Sequence, residues 1–275
     1  MSSNSKQFLR ECIYDDSLLN FGLQNKEYLD DVIDAWSDFE NDLNGRWHEL
    51  EHFGDAGGTI LDMAAGVGSF VFRGLNRGHD VYGVEPEAWK LKYIKMRIDE
   101  EKKYSGYADR IKHGLGEKLH FQNETFDLVT TYQTLEHVQD VNSCIDELIR
   151  VTKKGGKIII QAPDYFGFFE PHYLLPLLPK LSVCWAKVIL KILRKPTSGI
   201  DTINFVTSKK LVRHIKNAYP HLSIINVGES RKTKSLKLLS DKFHIPIALM
   251  GLFSRVHQFI KSFYHCECMY IVIRK

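Results

Sequence analysis

The stretch ILDMAAGVGSF, residues 60–70, decides the fold of this 275-residue chain. An apolar strand ends at Asp62, and a loop of small residues then leads into a helix: Ala64, Ala65, Gly66, Val67 and Gly68. Small side chains let a ligand approach the backbone closely, and a helix N-terminus presents free N–H groups. The stretch therefore predicts a strand, a turn and a helix arranged around a bound ligand.

The sequence around this stretch alternates between two patterns. Short apolar runs predict strands, and amphipathic runs between them predict helices at 70–76, 88–101 and 141–151. The predicted strands are 59–63, 80–85, 110–114, 126–132, 156–162, 222–229 and 268–275. This alternation is typical of an α/β, doubly wound, mostly parallel sheet with helices on both faces.

Composition narrows the class of protein. The chain is 44% hydrophobic and 26% charged, and its net charge is only +3. These values are typical of a globular protein and give no reason to predict a nucleic-acid partner. Five scattered cysteines predict no disulfide framework, and the polar N-terminus does not resemble a signal peptide. A reduced cytoplasmic protein is therefore expected.

A second acid points to an adenosine ligand. Glu85 ends the second predicted strand, where a carboxylate can accept hydrogen bonds from both ribose hydroxyls. A dinucleotide fingerprint would need a third glycine at the position of Val71. Asp62 beside a pyrophosphate would also be repulsive, whereas it suits a positively charged amine. These residues favour an adenosine that carries an amino acid.

Residues 60–68 resemble the first motif of class I S-adenosylmethionine (SAM)-dependent methyltransferases of types 11 and 23. Ala64 replaces the first glycine of that motif, a departure that is tolerable if its φ is negative. Glu85 matches the ribose-binding acid, FDLVTTYQTLEHV (126–138) resembles the fourth-strand motif, and LIRVTKKGGKIII (148–160) resembles the fifth. The resemblance implies a seven-stranded Rossmann-like sheet whose last strand is antiparallel and lies beside the sixth. It also implies SAM as the cofactor and S-adenosylhomocysteine as its product.

The cofactor site predicted from these motifs runs along the carboxyl ends of the strands. Leu115 stands where relatives often place an acid, so adenine is expected to meet the N–H of Gly116 or the side chain of Glu117. The full set of predicted cofactor residues is Asp62, Ala64, Ala65, Gly66, Gly68, Glu85, Gly116, Glu117 and Gln133.

Candidate catalytic residues follow the fourth and fifth strands. Tyr132 is expected to border the transferred methyl group, and His137 and His172 are candidate general bases. The segment PDYFGFFEPHYLLPLLP (163–179) is similar to a run in methyltransferases encoded with bacterial surface-polysaccharide genes. Its polar residues are predicted to bind the acceptor: Asp164, Tyr165, Glu170 and Tyr173. Two histidines with acids nearby could also bind a divalent metal, but their spacing is uninformative, so no metal site is predicted.

Four regions are expected along the chain: an N-terminal helical cap (1–52), a SAM-binding core (53–165), an apolar helical lid (166–206), and the end of the core sheet (207–275) with a second helical insertion at 230–264. Two amphipathic stretches, 174–195 and 245–263, lie in the insertions. On one helix, Lys180, Lys187, Lys191 and Arg194 would share a face. Such stretches either pack on the domain or lie on an anionic membrane surface. For a cytoplasmic protein, this surface would be the inner face of the cell membrane.

The sequence thus predicts a SAM-dependent methyltransferase that acts on an oxygen acceptor. A sugar hydroxyl of a cell-surface glycan, or of its lipid-linked precursor, is the preferred acceptor. The alternative acceptor is a phenolic hydroxyl of a prenylated quinone precursor. A non-catalytic binding module of the same fold is the alternative from another class.

Overall fold

The computed structural model describes residues 4–42, 45–52, 57–228, 237–238 and 247–275. The predicted insertion at 230–264 lies partly outside the described residues, and so does the amphipathic stretch 245–263 at its first two positions.

The centre of the molecule is a seven-stranded sheet. Its strands are β1 (Thr59–Met63), β2 (Asp80–Glu85), β3 (Ile111–His113), β4 (Phe126–Tyr132), β5 (Thr152–Pro163), β8 (Ser223–Asn226) and β9 (Cys268–Arg274). They are ordered β3-β2-β1-β4-β5-β9-β8. The first five strands of that order are parallel, and β9 is antiparallel to both of its neighbours. The predicted Rossmann-like fold, with its antiparallel last strand beside the sixth, is confirmed.

Helices cover both faces of this sheet. They are α1 (Asn4–Asp16), α2 (Lys26–Ser37), α3 (Arg46–His52), α4 (Ser69–Asn76), α5 (Ala88–Glu100), α6 (Val141–Val151), α7 (Val183–Ile192), α8 (Ser208–Ala218) and α9 (Ile247–Lys261). On one face, α1, α2, α4 and α5 share a buried apolar cluster that includes Ile33, Val71 and Tyr93. On the other face, α6 and α8 bury Ile145 and Ile215 against the sheet. Burial on both faces explains why the strands carry so few charges.

The N-terminal cap is fixed to the core by aromatic packing. The buried ring of Trp47 stacks on Phe70 with 4.5 Å between centroids, and its indole N–H donates to the Phe70 carbonyl. This contact places α3, which begins at Arg46, directly beside the loop that follows β1.

The segment after β5 folds as a small unit with its own apolar cluster, which includes Tyr165, Tyr173 and Leu190. It contains a two-stranded ribbon, β6 (Phe169–Glu170) and β7 (Leu175–Pro176), before α7. A single helix over 174–195 was wrong, because prolines interrupt it and α7 begins only at Val183. Lys180 therefore lies outside α7, and its ammonium donates instead to the Phe166 carbonyl at 2.7 Å.

No helix within the described residues combines the length and the apolar character that a membrane crossing requires.

Candidate active site

The loop after β1 has the backbone that a close ligand contact requires. Gly66 has φ +60°, and a Cβ added there would meet no atom within 4 Å, so this glycine leaves open space above the loop. A Cβ at Gly68 would lie 2.8 Å from the ring of Phe72, which is too close. Ala64 has φ +60°, so the condition for tolerating alanine here is not met: this residue adopts a left-handed conformation that favours glycine.

Glu85, at the end of β2, lies next to the glycine loop. Its carboxylate is buried and accepts hydrogen bonds from the N–H of Gly66 at 2.7 Å and of Glu87 at 3.0 Å. Burial raises the pKa of Glu85, and the Lys90 ammonium, 3.8 Å away, acts in the opposite direction. The carboxylate thereby joins the glycine loop to the loop after β2, and it lines the cleft described next.

A cleft of about 700 Å³ opens along the carboxyl ends of β1, β2 and β4, a volume suited to a nucleoside-sized ligand. Predicted cofactor residues that line it are Ala64, Ala65, Gly66, Glu85, Gly116, Glu117 and Gln133. Asp62 and Gly68 do not line it. Side chains of the cap close the opposite wall, among them Tyr28 and Trp36.

Asp62 has a different role from the one predicted. It is completely buried, and the guanidinium of Arg46 pairs with it and donates to Thr130 Oγ1 at 2.9 Å. Arg46 also lies over the ring of Phe70, 4.1 Å from its centroid, and lines the cleft. The cleft therefore presents a guanidinium beside the glycine loop, which suits a carboxylate and not an amine.

Arg46 and Lys90 are the two positively charged lining residues that sequence reasoning missed. Arg46 precedes Asp62 by 16 residues in a cap with no motif of its own, so no local pattern connects the two. Lys90 could have been found, because it lies in the first turn of the helix that follows Glu85.

The predicted adenine region is only partly available to a ligand. A Cβ at Gly116 would lie 2.8 Å from Met63 Sδ, so the backbone here packs tightly against the end of β1. The carboxylate of Glu117 accepts from the N–H of Gln139 at 2.6 Å and so holds the loop before α6. Of the two expected adenine contacts, the backbone of Gly116 is therefore the more available.

Tyr132 and Gln133 lie at the end of β4 and line the cleft, as expected for residues near the transferred group. Burial raises the pKa of Tyr132, so its phenol stays protonated at neutral pH. Gln133 has φ +50°, a conformation rare outside glycine, and its amide donates to the sulfur of Cys268 at 3.4 Å.

The two candidate bases are neighbours. The rings of His137 and His172 lie 5.1 Å apart, and Nδ1 of His172 is 2.7 Å from the buried carboxylate of Glu170. Desolvation lowers the pKa of His137 to about 4, so this histidine, which lines the cleft, is neutral. Desolvation also acts to lower the pKa of His172, but the hydrogen bond to Glu170 and the negative charges of nearby carboxylates together outweigh it, and the pKa is raised.

Glu136 lies beside these histidines. Burial raises its pKa to about 7, and its Oε2 is buried without a hydrogen-bond partner. The structure thus brings together two segments that are more than 30 residues apart in the sequence, each with one acid and one histidine: Glu136 with His137, and Glu170 with His172.

The four residues predicted to bind the acceptor do not line the cleft. Tyr165 and Tyr173 are buried in the apolar cluster of the lid. Glu170 accepts from the Tyr173 N–H at 2.6 Å, and Asp164 accepts from the Ser208 hydroxyl at 2.6 Å. Polar groups among aromatic residues here stabilise the lid and fix α8, because buried polar atoms require hydrogen-bond partners.

Comparison with known proteins agrees with this geometry. Residues 61–160 match the family model described as "Methyltransferase domain". That span contains the glycine loop, Glu85, β4 and most of β5. These residues form a class I, SAM-dependent methyltransferase domain, and SAM is the cofactor of that class.

Individual relatives cover different shares of the chain. Demethylmenaquinone methyltransferase of Thermobifida fusca is 32% identical over 107 residues, which are 38% of this chain and 43% of that protein. Ubiquinone biosynthesis O-methyltransferase of Pseudomonas putida is 28% identical over 73% of this chain and 81% of that protein. The chain spans about half the length of the demethylmenaquinone methyltransferases of Thermobifida fusca and Bacillus licheniformis, at 43% and 51%.

Among solved structures, phosphoethanolamine N-methyltransferase 2 of Haemonchus contortus, in complex with SAM, superimposes with a TM-score of 0.55. The alignment covers 97% of this chain and 60% of that chain, at 16% sequence identity. At this identity the likeness shows the fold alone.

Proposed function

We propose that the whole chain is a SAM-dependent O-methyltransferase and that its acceptor is a phenolic hydroxyl on a lipid-linked ring. The observation that carries the activity is the cleft itself, where a buried carboxylate, an open glycine loop and a guanidinium converge. The buried carboxylate fits the ribose of SAM, the open glycine loop leaves room for its amino-acid chain, and the guanidinium fits its carboxylate. When bound, SAM supplies a methyl group that is already activated, because the positively charged sulfur that carries it is a good leaving group.

The residues of this chain bind and orient. Glu85 is positioned to accept from the ribose hydroxyls, and Arg46 to donate to the carboxylate of the amino-acid moiety. Tyr132 and Gln133, at the end of β4, border the side of the cleft towards His137. In the transfer, the acceptor oxygen would bond to the methyl carbon while the sulfur keeps the electron pair of the broken sulfur–methyl bond, and the acceptor's proton would pass to solvent. Correct placement of the two reactants supplies much of the rate increase.

A phenolic acceptor is favoured over the sugar hydroxyl preferred from the sequence. A ubiquinone biosynthesis O-methyltransferase aligns with 73% of this chain, whereas neither of the two sequence relatives described above is named for a glycan. The cap wall of the cleft also offers the rings of Tyr28 and Trp36, which suit an aromatic acceptor.

The surface of the lid supports a lipid-linked acceptor presented at a membrane. Residues 171–200 contain five lysines and arginines and no acid. Trp185 and Ile192 on α7 are 65% and 74% exposed, and Phe259 on α9 is 59% exposed. Exposed apolar side chains flanked by positive charge favour contact with an anionic bilayer. One of these charges, Lys187, also pairs with Asp201 at 2.7 Å.

Calorimetry with SAM tests the cofactor site. The chain should bind SAM, and Glu85→Ala should weaken binding about 5- to 150-fold, equivalent to about 1–3 kcal/mol of lost charged hydrogen bonds. Asp80→Ala is the matched control, since Asp80 is an exposed acid at the opposite end of β2 and does not line the cleft. Equal affinity in wild type and Glu85→Ala would contradict the ribose assignment, and absence of binding at millimolar SAM would favour the non-catalytic module.

Methyl transfer to a panel of prenylated phenols and sugar acceptors tests the substrate class. We expect labelled methyl groups on the phenols alone. Transfer to a sugar hydroxyl would overturn the proposed acceptor and restore the one preferred from the sequence.

Sedimentation with liposomes tests the membrane contact. Vesicles containing anionic phospholipid should carry the protein down at low salt, and Lys187→Glu with Lys191→Glu should weaken this. Lys209→Glu with Lys210→Glu, two exposed lysines of α8, is a control with the same change of charge. An equal loss in both double variants would mean that net charge, and not α7, governs binding.

A further inference from the structure

At the rim of the cleft, one ligand atom from each of Glu136, His137 and His172 lies within 4.8 Å of the other two. Glu136 and His137 follow β4, whereas His172 is in the turn between β6 and β7. The set therefore forms only where the lid meets the core.

His172 has one ring nitrogen committed to the protein. The carboxylate of Glu170 can only accept, so Nδ1 of His172 carries the proton of their 2.7 Å hydrogen bond. The other nitrogen of this ring is thereby oriented, in the arrangement that metal-binding histidines use.

The Glu170 carboxylate is itself held in place. It is completely buried, and it also accepts from the N–H of Tyr173 at 2.6 Å and from the Tyr165 hydroxyl at 3.3 Å. These bonds fix the orientation of the His172 ring. Two residues predicted to bind the acceptor, Tyr165 and Glu170, thus support a neighbouring histidine.

Glu136 supplies the third donor. It is 1% exposed, and its Oε2 has no hydrogen-bond partner. A buried carboxylate oxygen without a partner is unfavourable unless something else satisfies it. Two histidines and one carboxylate form a donor set that suits a divalent transition metal.

We propose that Glu136, His137 and His172 bind one divalent transition-metal ion at the rim of the cleft. Three protein ligands leave positions open, and His137 places the ion beside the cleft that we assign to methyl transfer. An acceptor hydroxyl on an open position loses its proton to solvent more readily, because the cation stabilises the oxyanion. The oxygen then forms its bond to the methyl carbon as the sulfur–methyl bond breaks. This second step rests on the proposed function, and it replaces the role of general base assigned to the histidines from the sequence.

Co²⁺ binding to the metal-free full-length protein tests the site, because visible absorption of Co²⁺ reports nitrogen and oxygen ligands. We expect one equivalent to bind. Glu136→Gln and His172→Gln should each weaken binding by at least about tenfold. His214→Gln is the matched control: His214 also pairs with a carboxylate, that of Asp146 at 3.0 Å, but belongs to no such three-residue group within the described residues.

SAM calorimetry and thermal unfolding on the same proteins show whether each variant is folded. If folded wild type takes up no Co²⁺ at millimolar concentration, or the three variants bind Co²⁺ alike, the metal site is wrong even if SAM binds. If Co²⁺ binds as expected but SAM does not, the metal site stands and the proposed methyl transfer fails. Chelation that abolishes transfer, with recovery on adding Co²⁺ or Zn²⁺, would support the second step, and full activity in excess chelator would overturn it.

Discussion

The cofactor cleft and the lid contain the same kinds of residues, and the structure uses them differently. In the cleft, Gly66 faces open space at the ends of parallel strands, and the buried carboxylate of Glu85 lines that space. In the lid, Glu170 and Tyr173 are completely buried and bonded to each other. Polar residues among aromatics therefore indicate a binding pocket only when the backbone around them leaves room for a ligand.

The largest expected effect concerns the charged pair under the cleft. Arg46→Met should lower the free energy of unfolding by about 3 kcal/mol, because Asp62 would stay buried without its partner. Urea unfolding measures this. Arg77→Met is the control, since Arg77 pairs with Glu51 on the surface and should contribute less than about 1 kcal/mol. Similar small losses in both variants would mean that the cleft does not depend on its buried pair.

An intermediate effect is expected in the lid. Asp164→Ala should lower the free energy of unfolding by about 1 kcal/mol, because the carboxylate no longer accepts from the start of α8. SAM affinity should not change, and thermal unfolding with calorimetry checks both. If Asp164→Ala leaves the free energy of unfolding unchanged but raises the KM for the acceptor several-fold, Asp164 binds the acceptor as the sequence predicted. The contrast between the cleft and the lid would then be wrong.

The smallest effect is expected in the glycine loop. Ala64→Gly should raise the free energy of unfolding by up to about 1 kcal/mol, because glycine adopts a positive φ without strain. Ala65→Gly should lower it by a similar amount, since Ala65 is buried and its φ is not positive. Thermal unfolding of both variants measures these changes in the free energy of unfolding. If Ala64→Gly and Ala65→Gly change it equally and in the same direction, Ala64 is not strained.

The fold and much of the cleft could be predicted because their signals are local. The loop after β1 and the acid ending β2 lie within about 25 residues, and parallel strands bring their carboxyl ends together whatever else the chain does. Glu85, Gly66 and Gln133 were therefore placed correctly at the cleft.

Arg46 was missed for the opposite reason. Its position depends on Trp47 stacking on Phe70, a contact between a cap helix and the core that no periodicity signals. The same dependence reversed the prediction for Asp62, which meets a guanidinium of its own chain.

The sequence alone determined the order of strands and helices, the glycine loop and the acid that follows it, because hydrophobic periodicity and backbone freedom act over a few neighbouring residues. Only the tertiary structure decided which charge faces the ligand, which aromatic residues are core, and that Glu136 and His172 meet. Burial and electrostatic pairing depend on distances in space, and residues far apart in the chain acquire those distances only when the lid and the cap pack on the sheet.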